Sequence, residues 1–244
     1  MDKAPYDTIL EKTQQVSAQI EQAARLSGRD PRAVRLLVVT KGHPAVAVQT
    51  ALEGGLRLFG ENYAEEGAAK RQACPELPGA EWHMIGHVQS RKARLVCEHF
   101  DWVHTLDSLK LAGKLDQACT ASGRRMPVLL ECNVSAEASK FGWPAWDERG
   151  WPELCDQIAP ILTLPGLTVR GLMTMAPFSD DPETARPYFV RLRRLRDFFA
   201  DRLPGAAWDE LSMGMSADFE VAVQEGATIV RVGTAILGSR LAVN

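Results

Sequence analysis

The stretch Leu36-Leu37-Val38-Val39-Thr40-Lys41-Gly42-His43-Pro44 decides how this chain is read. Residues 36–40 are apolar on both alternating faces, as a strand buried in a parallel sheet must be. A lysine and a Gly-His-Pro turn follow at once. Short apolar runs recur outward from it, at 56–59, 82–85, 102–106, 128–134, 169–175, 208–213 and 228–232, making eight strand candidates. Helical patterns lie between them, over 44–54, 61–72, 90–98, 108–121, 146–162, 182–203 and 217–225. A further helix, 5–28, comes first. Its Ile9, Val16, Ile20, Ala23 and Ala24 form one stripe, and Gly28 is placed to end it in a left-handed turn. This alternation predicts an α/β fold: a (β/α)8 TIM-type barrel with an extra N-terminal helix, one domain over residues 1–244. An open, doubly wound dinucleotide-binding sheet would want G-x-G-x-x-G after its first strand, where Thr40-Lys41-Gly42-His43-Pro44 stands instead.

Several boundaries carry their own signals. Ser90, Asp107-Ser108 and Asp181-Pro182 read as helix starts. Tyr188, Leu192, Leu195, Phe199 and Leu203 step along one face of the long penultimate helix.

At 244 residues, 45% hydrophobic and 24% charged, the chain has the composition of a soluble globular protein. About three quarters of the unfolded surface can be buried at this size. A net charge of −3 argues against a general nucleic-acid or anionic-membrane binder. The N-terminus lacks the apolar core of a signal peptide, and no apolar run is long enough for a membrane span. Five widely spaced cysteines without a C-x-x-C pair suggest neither a disulfide framework nor structural zinc, so a cytoplasmic location is expected.

In a barrel of this type, chemistry gathers at the C-terminal ends of the strands. Lys41 ends the first strand there. Such a lysine serves either as a point charge for an anion or as an amine toward a carbonyl. Only about one amine in 2,500 is free at pH 7 at the reference pKa, so partial desolvation would activate it. Leu211-Ser212-Met213-Gly214-Met215-Ser216 follows the seventh strand, and Gly233-Thr234 ends the eighth. Both loops fall where barrels hold phosphate. A strand-one lysine opposite two phosphate loops favours a ligand with a carbonyl at one end and a phosphate at the other. Pyridoxal 5′-phosphate is such a ligand. Arg231 could then face its ring nitrogen and, remaining protonated itself, keep that nitrogen unprotonated.

Other signals read as structure. His83 and His87 lack a third metal ligand. Arg191, Arg193, Arg194, Arg196 and Arg202 lie opposite an apolar stripe and read as a solvated face. Trp143, Trp146 and Trp151 read as packing under a long loop, and Cys132 as inert core.

The same segments resemble the pyridoxal phosphate homeostasis proteins, whose fold resembles the barrel domain of alanine racemase. The matching stretches include Val39-Thr40-Lys41, Phe59-Gly60-Glu61-Asn62-Tyr63, Trp82-His83-Met84-Ile85-Gly86-His87-Val88-Gln89-Ser90 and Gly171-Leu172-Met173. Two more complete the set: residues 211–220, which begin with the Ser-Met-Gly-Met-Ser loop, and residues 230–238, which begin Val230-Arg231-Val232-Gly233-Thr234. The resemblance implies that Lys41 carries the cofactor as a Schiff base, that Asn62 lies beside the ring, and that Arg231 faces the pyridine nitrogen. It implies phosphate contacts from Ser212, Gly233 and Thr234; Ser216 lies in the same pair of loops. It also implies a monomeric carrier that maintains the supply of vitamin B6, with no established catalysis; a barrel mouth open to water would suit release of the cofactor to apo-enzymes. Two departures stand out: Arg91, where the family often has asparagine, and Phe141, where a small residue is common.

The rival readings are enzymes. A racemase needs two acid/base groups, one on each face of the substrate carbon. The racemases this barrel resembles carry an added β-domain and a partner tyrosine; here the chain ends at Asn244, and of Tyr6, Tyr63 and Tyr188 only Tyr63 is expected near the mouth. An aldolase using Lys41 would also need an amine and a phosphate site.

Overall fold

The computed structural model describes residues 8–74 and 79–239. Nine strands are present among them: β1 Arg35–Val39, β2 Leu58–Glu61, β3 Glu81–Met84, β4 Trp102–Leu106, β5 Met126–Asn133, β6 Trp143–Pro144, β7 Leu167–Met173, β8 Glu210–Ser212 and β9 Ile229–Val232. Every pairing is parallel. The order β4-β3-β2-β1-β9-β8-β7-β5 closes through a β4–β5 pairing into an eight-stranded barrel, with β6 attached outside on β5. The expected barrel is therefore the observed one.

The α-helices are α1 Ile9–Leu26, α2 Ala45–Glu53, α3 Ala64–Ala73, α4 Ala93–His99, α5 Leu109–Ala121, α6 Trp151–Ile158, α7 Arg186–Arg202, α8 Phe219–Gln224 and α9 Thr234–Leu237. The expected α1 stripe of Ile9, Val16, Ile20, Ala23 and Ala24 is buried, and Gly28 takes φ +70° just past its end. Residues 5–7 of the expected first helix lie outside the described residues.

Strand residues alternate between two cores, as the pleat demands. Leu37, Ile85, Leu129, Met173 and Ile229 fill the barrel interior. Val38, Phe59, Met84, Val103, Leu130 and Leu172 face outward against the helices. Each such large side chain contributes roughly 1.5–3 kcal/mol on burial.

Some expected boundaries shift for local reasons. Ser90 does not cap a helix; it opens a 3-10 turn, Ser90–Lys92, ahead of α4. The long pattern at 146–162 is a short α6 flanked by 3-10 turns at Glu148–Gly150 and Ala159–Thr163. Pro152 at its start and Pro160 past its end restrict the α-helix to two turns. Ser108 does cap α5, its Oγ accepting from Leu111 N–H at 3.3 Å. Asp181 caps a 3-10 turn that leads into α7. Trp143 and Trp151 are buried, their indole N–H groups donating to the carbonyls of Leu106 and Ala145. Trp146 is exposed. The arginines of α7 are drawn into pairs, Arg193 with Glu225 and Arg194 with Glu148 among them.

Candidate cofactor-binding site

The C-terminal ends of the strands open on one face, and the residues singled out above meet there in two groups. The first surrounds Lys41, which is half-buried just past β1. The backbone on both sides of it is clamped. Thr40 Oγ1 donates to Glu61 Oε1 at 2.5 Å, and the Thr40 carbonyl accepts from Lys70 Nζ at 2.6 Å. Gly42 N–H donates to Glu66 Oε1 at 2.6 Å. Lys70 Nζ ties the clamp together, donating at 2.7 Å to both Glu61 Oε1 and Glu66 Oε1. Lys70 and Glu61 are buried. Burial raises the Glu61 pKa, and the Lys70 charge opposes that rise.

Asn62 follows β2 directly, and its side-chain oxygen is buried without a hydrogen-bond partner. Its backbone is crowded by Gly86. A Cβ at Gly86 would stand 2.2 Å from the Asn62 carbonyl oxygen, so glycine is what permits this approach.

The second group lies under the mouth. Arg231 on β9 is buried and donates to Ser212 Oγ at 2.7 Å and to the Thr174 carbonyl at 2.8 Å. Burial lowers its pKa to about 10, with Asp218 and Glu131 opposing, so it stays a cation at neutral pH. Glu131, on β5, is buried with Oε2 unpartnered. Burial, and then the Asp107 charge, push its carboxyl up to about 7, while Arg231 pulls the other way.

Ser216 Oγ accepts from the N–H groups of Gly233 and Ala235, each at 3.3 Å, joining the loops after β8 and β9. Thr234 is exposed beside them. Ser212 differs from expectation. Its hydroxyl is fully buried in the barrel interior, bonded to Arg231 and lying 2.9 Å from His104 Nδ1. A strand-end position turned inward gives it to the arginine, not to the Ser216 turn.

The loop after β5 reaches toward the mouth. Phe141 stacks on His87 with ring centroids 4.0 Å apart, and His87 Nδ1 lies 3.0 Å from Asp107 Oδ2. Lys140 Nζ donates to the Met175 carbonyl at 3.0 Å. A cavity of about 350 Å³ lies alongside, lined by Asn62, Tyr63, His87 and Arg91 among others. The larger groove, about 850 Å³ between α4 and α5, contains none of the expected site residues.

Sequence reasoning overlooked Lys70, Glu66, His104 and Glu131. Glu131 had a signal, a carboxylate inside the apolar run 128–134. Glu66 and Lys70 are four apart on α3, which from sequence alone reads as an exposed pair.

A family model described as "Alanine racemase, N-terminal domain" matches residues 12–241. A Pseudomonas aeruginosa protein named "Pyridoxal phosphate homeostasis protein" is 44% identical over 233 residues, covering 96% of each chain. This chain belongs to the pyridoxal phosphate homeostasis protein family. An Escherichia coli K12 family member of the same name is 42% identical over 228 residues, covering 93% of this chain and 94% of its own. Among solved structures, PipY of Synechococcus elongatus PCC7942 with PLP bound aligns at a TM-score of 0.75 and 37% identity, covering 90% of this chain and all of its own.

Proposed function

We propose that this protein binds pyridoxal 5′-phosphate reversibly through Lys41 and serves its homeostasis as a carrier. The observation that carries the reading is the fixed, buried Arg231 cation beneath a mouth that gathers Lys41 and the Ser216–Gly233 turn. The residues fit the cofactor on chemical grounds. An amine stands on a clamped backbone, a cation lies below, and backbone N–H groups at 233 and 235 converge on one hydroxyl. The unpartnered Asn62 oxygen and Glu131 Oε2 are polar atoms that a bound polar group could satisfy.

In this reading Lys41 would supply the amine that holds the cofactor by its aldehyde. Asn62 lies beside the ring. Ser216, Gly233 and Thr234 hold the phosphate, and Ser212 serves the ring end through Arg231. Bound in an enzyme, the cofactor supplies an electron sink, strongest when its ring nitrogen is protonated. Arg231 remains a cation and so opposes that protonation. The relatives' names support homeostasis. We further take the protein as a single-domain monomer of the cytoplasm that gives its cofactor to apo-enzymes.

The test combines spectroscopy with turnover. Wild-type protein with the cofactor should show a yellow imine absorbance that borohydride traps on Lys41, and Lys41→Ala should abolish both. A peptide map with the adduct on Lys140 would overturn the assignment. Single enantiomers of alanine, serine and glutamate should stay unracemised; racemisation at ~1 s⁻¹, within the ordinary range of enzymes, and lost in Lys41→Ala, would replace the carrier reading.

A further inference from the structure

Two buried histidines inside the barrel have no part in the reading above. His104 on β4 and His83 on β3 are both fully buried. They extend a column of polar atoms down from Arg231. Arg231 Nη1 lies 2.7 Å from Ser212 Oγ, which lies 2.9 Å from His104 Nδ1. His104 Nε2 lies 2.9 Å from His83 Nδ1. His83 Nε2 lies 3.4 Å from Glu81 Oε2, at the opposite end of the barrel.

The guanidinium at one end, which only donates, and the Glu81 carboxylate at the other, which only accepts and faces His83 Nε2, set the direction of the bonds between them. A guanidinium only donates, so Ser212 Oγ accepts from Arg231. The serine's own proton is then available, and His104 Nδ1 stands within reach to accept it. An imidazole that accepts at Nδ1 and is neutral carries its proton on Nε2. That proton points at His83 Nδ1, which must also accept. His83 therefore carries its own proton on Nε2, toward the Glu81 carboxylate. With the bonds running this way, a second proton on His83 would set its Nδ1–H against the His104 Nε2–H, 2.9 Å away.

We propose that His104 is a positioning residue for the cofactor site: held by His83 with its proton on Nε2, it accepts a hydrogen bond from the Ser212 hydroxyl and so orients the serine oxygen as the acceptor that locks the Arg231 guanidinium.

The surroundings favour the neutral rings. His104 packs edge-on to His83 and Trp102, and His83 stacks on Trp102 at 5.7 Å. The charged and titratable groups acting on the pair are Arg231, Arg35, Glu81 and Asp101, besides the two rings themselves. Burial lowers the pKa of both histidines, and for His104 the neighbouring His83, Arg231 and Arg35 lower it further. Only His83, next to Glu81, has a carboxylate pulling back.

The inference rests on the pyridoxal phosphate reading for its ligand, but the column itself can be tested without one. Long-range ¹H–¹⁵N spectra of the unliganded protein should show His104 and His83 neutral and protonated on Nε2 at pH 7, and titrating only below the ordinary histidine value. A His104 proton on Nδ1, or titration near the ordinary histidine value, would overturn the proposal. Affinity for pyridoxal phosphate supplies the second arm. His104→Asn keeps an acceptor where Nδ1 lies and should bind within ~3-fold of wild type, whereas His104→Leu should bind ~10-fold more weakly. Wild-type affinity in His104→Leu would also overturn it. Should His104→Leu fail to fold, Ser212→Ala carries this arm: it removes the same link and should show the same ~10-fold loss, with wild-type affinity counting against the proposal. Wild-type protein that does not bind the cofactor at all would defeat the functional reading, while the ¹⁵N result would still decide the column.

Discussion

Lys70 Nζ and Glu61 Oε1 meet at 2.7 Å with both side chains shut away from water, directly behind the lysine that ends β1. Neither charge has solvent to fall back on. Removing one partner of such a pair leaves the other uncompensated, which typically costs 3–5 kcal/mol, whereas replacing both can be nearly neutral. Lys70→Met should therefore destabilise the fold by about 3–5 kcal/mol in denaturant unfolding. The double variant Glu61→Gln, Lys70→Met should recover much of that loss. A double variant no better than the single one would show that the clamp's hydrogen bonds to Thr40, and not the buried charge, dominate.

Gly86 and Gly113 make a contrasting pair. A Cβ at Gly86 would strike the Asn62 carbonyl, while one at Gly113, inside α5, meets nothing within 4 Å. Gly86→Ala should cost about 1–3 kcal/mol through forced backbone movement, and should weaken cofactor binding by displacing Asn62. Gly113→Ala should stabilise by up to about 1 kcal/mol, since glycine is the weaker helix former. Thermal unfolding of the two variants side by side checks both signs.

What the sequence revealed and what it concealed divide along the range of the interactions. The eight apolar runs, the stripe on α1 and the caps at Ser108 and Asp181 are local patterns, and each is found in the structure. The placement of Lys41, Asn62, Arg231 and Ser216 at or just past strand ends is legible in the sequence, because strand ends are visible and a barrel puts them on one face. The inward turn of Ser212 was not visible. Its partner His104 is 108 residues away, and only the closed sheet brings them together. The same holds for Lys70, which is 30 residues from Thr40 and sits on a polar helix with no sign of burial. The β6 pairing escaped because two residues, Trp143 and Pro144, carry no period.

In the proposed reading Ser216 anchors the phosphate end. Its oxygen accepts two backbone N–H groups at 3.3 Å, from residues 233 and 235. Donors of this kind are what a phosphate needs. Ser216→Ala should weaken binding of pyridoxal phosphate by about 1–2 kcal/mol, the scale of one charge-assisted bond. Binding of pyridoxal, which lacks the phosphate, should already be much weaker in the wild type and hardly change in the variant. Titration of both ligands by fluorescence or absorbance compares them. Equal wild-type affinity for the two would remove the phosphate site.

Glu131 sets a pH dependence on the fold itself. Its carboxyl is held up at about 7 by burial and by Asp107, against an ordinary value of 4.5. Between those two values the folded protein keeps a proton that the unfolded chain has lost. The folded state binds more protons there, so its stability falls as pH rises from 4.5 to about 7 and then levels off. The span corresponds to about 3 kcal/mol at most. Glu131→Gln keeps the shape and cannot ionise. It should match wild type near pH 4.5 and exceed it by up to about 3 kcal/mol at pH 8. Urea unfolding at both values reads the difference. A gap that does not change with pH would mean that the carboxyl titrates as an ordinary one. Because Arg231 opposes the rise, Arg231→Leu should steepen the pH dependence of the wild-type carboxyl, and the Glu131→Gln, Arg231→Leu pair should show none of it.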